Sequence, residues 1–330
     1  MTLPNDDLLE MYRRMARIRH FENTCHELYQ RGQIAGVLHL STGQEAVSVG
    51  ACFDLSPDDY ITSTHRGHND IIAKGADLTR MMDELFMKET GYCRAKGGSM
   101  HIADFKLGIL GANGIVGAGI PIATGAALAI KMRDEKRVVV CFFGDGAVNQ
   151  GFFHEGINLA SIWRLPVVFV CHNNAWADST PQAPTHAVAD IAERAKAYGI
   201  PGVTVDAIDV TAVREVCATA IARARAGEGP SLINCKTYRW YGHHMGDVDQ
   251  SYRPKQDLAV ARGRDCLAFH RERLLRAAVA DVRFIESIDR EVAAEIAAAV
   301  EHAKAAPRPG ADTLYEDIFA GIDAREEMAP

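Results

Sequence analysis

Two apolar runs set the terms for the whole chain. Residues 137–143 (Arg-Val-Val-Val-Cys-Phe-Phe) and 165–171 (Leu-Pro-Val-Val-Phe-Val-Cys) are hydrophobic at successive positions rather than alternate ones. Neighbouring residues of a strand point to opposite faces, so a strand with one wet face alternates apolar and polar side chains. A run that is apolar on both faces belongs to a sheet covered on both sides, which is the habit of parallel sheets flanked by helices. Residues 152–163, between the two runs, have helical spacing. The sequence therefore predicts an α/β fold built on a parallel sheet.

The rest of the chain fits that frame. Residues 6–30 read as an amphipathic helix, with Leu9, Tyr12, Met15, Ile18 and Phe21 recurring at helical spacing. Residues 36–119 are rich in Gly, His and Ser, with short periodic pieces such as 77–88. Helices are expected at 121–133, 188–198 and 211–226, and strands at 202–206 and 231–237. Two Ala-rich helices follow, at 255–279 and 288–304, and the Pro-rich stretch 306–310 leads into a short last element. No internal repeat or low-complexity linker interrupts the chain. The expectation is one α/β domain over residues 1–330, with a helical arm at about 1–35 and a helical extension at about 255–330.

Composition removes several functional classes. Of 330 residues, 36 are Lys or Arg and 43 Asp or Glu, a formal net charge of −7, which gives no electrostatic case for nucleic acid or anionic membrane. The eight cysteines (25, 52, 93, 141, 171, 217, 235 and 266) form no C-x-x-C pair, and Cys141 and Cys171 sit inside apolar runs. That usage suits a reducing compartment, and with no apolar signal core or membrane span the expectation is cytoplasmic.

The chemistry-bearing residues lie where the two runs end. The first runs into Gly144-Asp145-Gly146-Ala147 and the second into His172-Asn173-Asn174. The 26 residues between Gly146 and Asn173 suffice for one helix and a return strand, so Asp145 and Asn174 emerge at adjacent strand ends, where ligands bind in open α/β sheets. Mg²⁺ takes a few hard oxygens from protein and the rest from phosphate and water. Asp145, Asn174 and a backbone carbonyl just after it would supply the protein's share. Glycines let backbone approach a phosphate closely. A turn and a helix cap would each explain one motif, but the pair on neighbouring strand ends points to a metal and diphosphate site. A dinucleotide reading of Gly117-Ala118-Gly119 fails, since no strand precedes it and Ile122 stands where the third glycine belongs. Gly117, Pro121, Gly125 and Ala129 form a small-residue stripe that suits close packing against a neighbour.

Taken with Lys96-Gly97-Gly98-Ser99-Met100-His101, Asn113-Gly114-Ile115-Val116-Gly117 and Tyr238-Arg239-Trp240-Tyr241-Gly242-His243, the pair resembles the signature of thiamine-diphosphate enzymes. It is similar above all to the alpha subunit of the 2-oxo acid dehydrogenase decarboxylating component. Ser63-Thr64-His65-Arg66-Gly67-His68 and Ala112-Asn113-Gly114-Ile115 resemble the acetoin dehydrogenase branch, and the likeness runs from about Leu8 to Ala320.

The resemblance implies thiamine diphosphate and Mg²⁺ as cofactors. It implies Gly144, Asp145, Gly146, Ala147, Asn174 and Trp176 around the metal and diphosphate, with Arg66 and His243 as diphosphate partners. Arginine can fork onto phosphate oxygens and histidine can donate to them. Asn113, Gly114 and Val116 would hold the aminopyrimidine ring, so that the cofactor's own amine reaches the thiazolium carbon that must lose a proton. His65, His68 and His243 are the candidate catalytic histidines, with His65 and His68 either facing substrate or ordering their loop. The stripe would meet a neighbouring subunit.

Activation of the pyrimidine needs a glutamate from a second α/β unit, and no second sheet is legible. The family supplies it from a beta subunit in a tetramer of two alpha and two beta chains. Glu155 is expected to orient the metal motif instead. Implied substrates are acetoin or a related 2-hydroxyketone, with the acyl fragment passed to a lipoyl acyltransferase partner. Pyruvate, a branched-chain 2-oxo acid, or a carboligase or transketolase-like reaction without lipoyl are the alternatives.

Two places depart from the family. His244 stands in the family's mobile loop where phosphorylation-controlled members carry serine, which excludes that control. His172, Trp176 and Asp178 differ from the usual acid, tyrosine and apolar residue. Asp178 either adds charge near the thiazolium side or caps the next turn.

Overall fold

The structure is a computed structural model, and it describes residues 3–247 and 250–318. Its strands are β1 (Tyr60–Thr62), β2 (Val139–Gly144), β3 (Val167–Asn173), β4 (Trp176–Ala177), β5 (Thr180–Pro181), β6 (Gly202–Asp206) and β7 (Ser231–Lys236). Its helices are α1 (Asn5–Gln30), α2 (Glu45–Cys52), α3 (His68–Lys74), α4 (Leu78–Leu85), α5 (Gly119–Met132), α6 (Gly151–Ile162), α7 (Val210–Arg225), α8 (Lys255–Gly263), α9 (Cys266–Arg276) and α10 (Val282–Ala305). Five strands form a parallel sheet in the order β1-β2-β3-β7-β6, and β4 and β5 pair as a small antiparallel hairpin.

That order explains the two-sided burial. The chain steps from β1 to β2 to β3 in one direction, through α5 and α6, then returns from β6 to β7 through α7. Parallel crossovers are right-handed, so a reversal of direction puts the helix on the other face. One apolar cluster joins α5 and α6 to Val139, Cys141 and Phe143. The other joins α7, α2 and α1 to Val138, Val140 and Phe142. Successive residues of β2 feed opposite cores, as a both-sides-apolar run demands. Buried residues of α9 and α10 belong to the second cluster as well.

Four expectations are corrected. Residues 36–119 hold a sheet strand, β1, and three helices. Periodicity missed α2 because every one of its residues is buried, Glu45 and Ser48 included, leaving no wet face to mark it. The helix expected at 255–279 is two, α8 and α9, because Asp265 turns to cap Leu267 N–H and pairs with Arg19. The helix expected from 288 begins at 282, where Asp281 caps Phe284 N–H at 2.7 Å. Residues 191–198 wind as a 3₁₀ helix, Ile191–Tyr198. The short last element is a 3₁₀ turn, Ala311–Tyr315, and residues 319–330 of the expected extension lie outside the described part. Among the described residues no helix is long and apolar enough to cross a membrane.

Asp59 locks the amino edge of the sheet. Its fully buried carboxylate accepts from Val138 N–H at 2.9 Å, Ser56 N–H at 2.7 Å and Arg225 at 2.7 Å. Burial alone would raise this carboxyl, but Arg225 and the two N–H groups hold it below the ordinary range. A depressed carboxyl stabilises the fold above its unfolded pKa, and that contribution is lost as pH falls through the folded value. Asp59→Asn should therefore cost about 2 kcal/mol at pH 7. In urea titrations the gap from the parent should close below about pH 4.

Candidate functional site

The carboxyl ends of β1, β2, β3 and β7 open into one cleft of about 380 Å³, large enough for a small cofactor. The turn after β1 brings His65 and Arg66, and β2 delivers residues 144–147. Asn174, Trp176 and Asp178 follow β3, and Arg239 and His243 come from beyond β7. Asn113, Ile115 and Val116 form the opposite wall.

Asp145 is the most informative residue. It is 1 % exposed, and its Oδ2 has no hydrogen-bond partner among the described residues. Burial pushes its carboxyl up to about 6, against the pull of nearby N–H groups, His186 and Arg239. A buried carboxylate oxygen without a donor is costly, and a cation removes the cost. Beside it, Asn174 Oδ1 accepts from Trp176 N–H at 3.2 Å, while Nδ2 reaches Gln44 Oε1 at 3.4 Å. The carbonyl of Trp176 accepts from Arg239 at 3.1 Å, which leaves its second lone pair.

The glycines divide the work. A Cβ on Gly144 would meet nothing within 4 Å. A Cβ on Gly146 would lie 2.7 Å from that of Ala177, so only glycine lets the β4–β5 hairpin close over this turn.

Two guanidiniums face the same space. Arg66 is 8 % exposed and donates to the carbonyls of Leu40 and His243, at 2.5 and 2.8 Å. Arg239 is 1 % exposed and donates to the carbonyls of Trp176 and Asp178 and to Tyr252 Oη. Neither meets a carboxylate among the described residues. Burial, then the charge of Arg239, drives Arg66 down to about 9. Buried cations without a counter-ion make an anion site.

Beside Arg66, ring nitrogens of His39, His65 and His243 lie within 4.8 Å of one another. Burial first, then neighbouring charge, lowers His65 to about 3 and His243 to about 4. Burial, then His65 and Arg66, lowers His39 to about 2. At neutral pH the three are uncharged imidazoles that can each donate and accept.

His68, Gly114 and Glu155 are not among the residues lining the cleft, while His172 is. His68 is 1 % exposed, with Nδ1 3.0 Å from Glu22 and Nε2 2.9 Å from Ser99 Oγ, so it ties α1 to the 97–101 loop. Gly114 faces His101, whose Nε2 would lie 3.1 Å from an added Cβ. Glu155 is exposed on α6 and makes no hydrogen bond to residues 144–147 among those described. His172 Nε2 meets Asp70 at 3.0 Å, and Asp70 also accepts from Ser48 and Ser63, both at 2.6 Å, which ties the end of β1 to the end of β3.

The 238–247 loop makes several contacts with the rest of the chain. Arg19 lies over the Trp240 ring at 4.2 Å and His26 stacks on Tyr241 at 4.5 Å. Asp247 accepts from His243 N–H at 2.7 Å. Gln44, His39 and Arg239 are site residues that the sequence did not single out. Only Arg239 carried a signal, as a cation between aromatic residues.

The family model described as "Dehydrogenase E1 component" matches residues 13–312. The alpha subunit of acetoin:2,6-dichlorophenolindophenol oxidoreductase from Bacillus subtilis is 48% identical, covering 98% of this chain and 96% of its own length. Its counterpart from Cupriavidus necator is 48% identical over 97% and 96%. The chloroplastic pyruvate dehydrogenase E1 component subunit alpha-3 of Arabidopsis thaliana is 40% identical over 97% of this chain and 76% of its own.

Proposed function

This chain belongs to the dehydrogenase E1 component family, and from that premise we propose that it is the alpha subunit of a thiamine diphosphate- and Mg²⁺-dependent enzyme that cleaves acetoin or a related 2-hydroxyketone. The observation that carries the proposal is the orphaned Asp145 carboxylate, buried beside two guanidiniums that lack counter-ions. A dication paired with a diphosphate satisfies both needs at once.

The residues present fit that group. Asp145, Asn174 and the Trp176 carbonyl would hold the metal. Arg66, Arg239 and His243 would meet the diphosphate, with the open face of Gly144 leaving room for it. Asn113 and Val116 would support the ring portion from the facing wall. Once bound, the cofactor supplies a nucleophilic carbon that adds to a carbonyl and stabilises the charge left when the adjoining C–C bond breaks. The chain's own share is positioning and proton handling. The uncharged His65 also lines the cleft, where it can orient a hydroxyl or carbonyl and exchange a proton with it. The electron-rich acyl fragment would pass to a lipoyl group on an acyltransferase partner.

The same reading makes this half of a site. Beyond β7 the described residues form helices and turns, with no further strand. Ile115 is 64% exposed, with Val116, Ile122 and Phe152 exposed around it. The open face of Gly125 continues that surface. A beta subunit seated there, in a two-alpha, two-beta assembly, would cover the apolar rim and supply the missing glutamate.

The test is to purify the chain with its beta partner and follow reduction of 2,6-dichlorophenolindophenol. Acetoin is expected to outperform pyruvate by at least about tenfold in kcat/KM, since specificity is a ratio of those constants. The isolated chain should be inactive, and a lipoyl domain should replace the dye as acceptor. Preference for pyruvate would reject the substrate assignment.

A further inference from the structure

We propose that Asp178 sets the charge of the substrate this site accepts, admitting uncharged hydroxyketones and turning away 2-oxo acid anions; the proposal rests on the hydroxyketone reading above. Asp178 sits in the two-residue turn between β4 and β5 at φ 55°. Aspartate tolerates that left-handed conformation, as asparagine and glycine do, so the turn itself does not require a carboxylate. Nor does the turn use one. The Asp178 main-chain carbonyl accepts from Arg239, but among the described residues its side chain accepts no hydrogen bond. Instead the side chain lines the cleft, with Oδ1 4.0 Å from His243 Nδ1 and 68% of its surface exposed at the mouth.

The charge balance of the cleft gives this placement its meaning. Four of the lining side chains carry a formal charge: Arg66, Asp145, Asp178 and Arg239. The first two and Arg239 are buried, and on the present reading they face the diphosphate and its metal. His65 and His243 are uncharged. Among the described residues of this chain the mouth is therefore left with one charge, and it is negative. A carboxylate entering there meets repulsion and finds no free cation among them. A hydroxyketone meets the uncharged His65 imidazole, which can donate or accept. Because Asp178 is exposed, the repulsion is screened by salt and modest in size.

The experiment compares the parent alpha–beta complex, loaded with thiamine diphosphate and Mg²⁺, with Asp178→Asn and Asp178→Gly, both compatible with the turn. Either substitution is expected to raise kcat/KM for pyruvate roughly three- to tenfold, while the acetoin value stays within about twofold. Pyruvate binding, read by saturation-transfer NMR on the same complexes, should tighten by the same factor. Raising ionic strength from about 0.01 to 0.2 M should narrow the difference. No change in the pyruvate values, or equal changes for both substrates, overturns the proposal and leaves Asp178 a turn residue. A parent complex that fails to cleave acetoin overturns the hydroxyketone reading instead, and the NMR comparison still decides the role of Asp178.

Discussion

Asp145→Asn is expected to weaken Mg²⁺-dependent binding of thiamine diphosphate by at least about 100-fold, the upper end for groups around a metal, and to make the chain without cofactor more stable. The two effects share one cause. Asparagine keeps the shape of the side chain and removes a charge that is buried with an unpartnered oxygen. A carboxyl held at about 6 when folded keeps its proton between the ordinary unfolded value and 6 while the unfolded chain has lost it. Stability therefore falls as pH rises through that window, and the full penalty applies above it. At pH 8 the substitution should recover about 2–3 kcal/mol in urea titrations, with little difference from the parent near pH 4. With cofactor and Mg²⁺ in excess the order should reverse, because ligand binding stabilises only the parent. If Asp145→Asn destabilised the cofactor-free chain at pH 8, the carboxylate would be a structural group rather than a cation ligand.

Glu84→Ala is expected to cost about 3–4 kcal/mol and to release the 91–101 loop. Glu84 is fully buried on α4, and each of its oxygens accepts two backbone N–H groups. Oε1 takes Gly97 and Gly98 at 3.0 and 2.9 Å, and Oε2 takes Cys93 and Ala95 at 2.8 and 3.1 Å. Removing the acceptor strands four donors, and buried unmade hydrogen bonds cost more than made ones contribute. The loop carries Ser99 to His68 and His101 to Gly114. Its release should therefore loosen the 113–116 wall as well as the loop. A fall in the guanidinium midpoint together with new protease cleavage within residues 91–101 would show this. An unchanged cleavage pattern would mean that the loop is held by other contacts.

Much of this arrangement was legible in order along the chain. The runs at 137–143 and 165–171 became β2 and β3, adjacent and parallel, with Gly144 opposite His172. Strand character is local and needs only a few residues of consistent burial. The 36–119 region was not legible in this way. β1 has three residues, too few for a period, and α2 and α3 are buried nearly all round, so helical spacing had no polar face to contrast with. The Lys96–His101 motif was visible, but Glu84, which folds it, was not. An acid in a periodic stretch reads as a wet residue until its four donors are seen.

Asp145 and Asn174 were determined by the sequence alone, because each follows directly from a strand that the sequence marks. Parallel pairing then leaves little choice about where they emerge. The rest of the cleft lining was decided by the tertiary structure. Arg66 and His243 were expected there from the family resemblance, but Gln44 and Arg239 were not, and all four come from distant parts of the chain. Whether a side chain looks into a cleft depends on its neighbours' packing rather than its own type. His68 and Asp178 show both outcomes. One is a histidine in a functional-looking motif that the core claims for Glu22 and Ser99, and the other is an acid in an ordinary turn that the fold leaves pointing into the site.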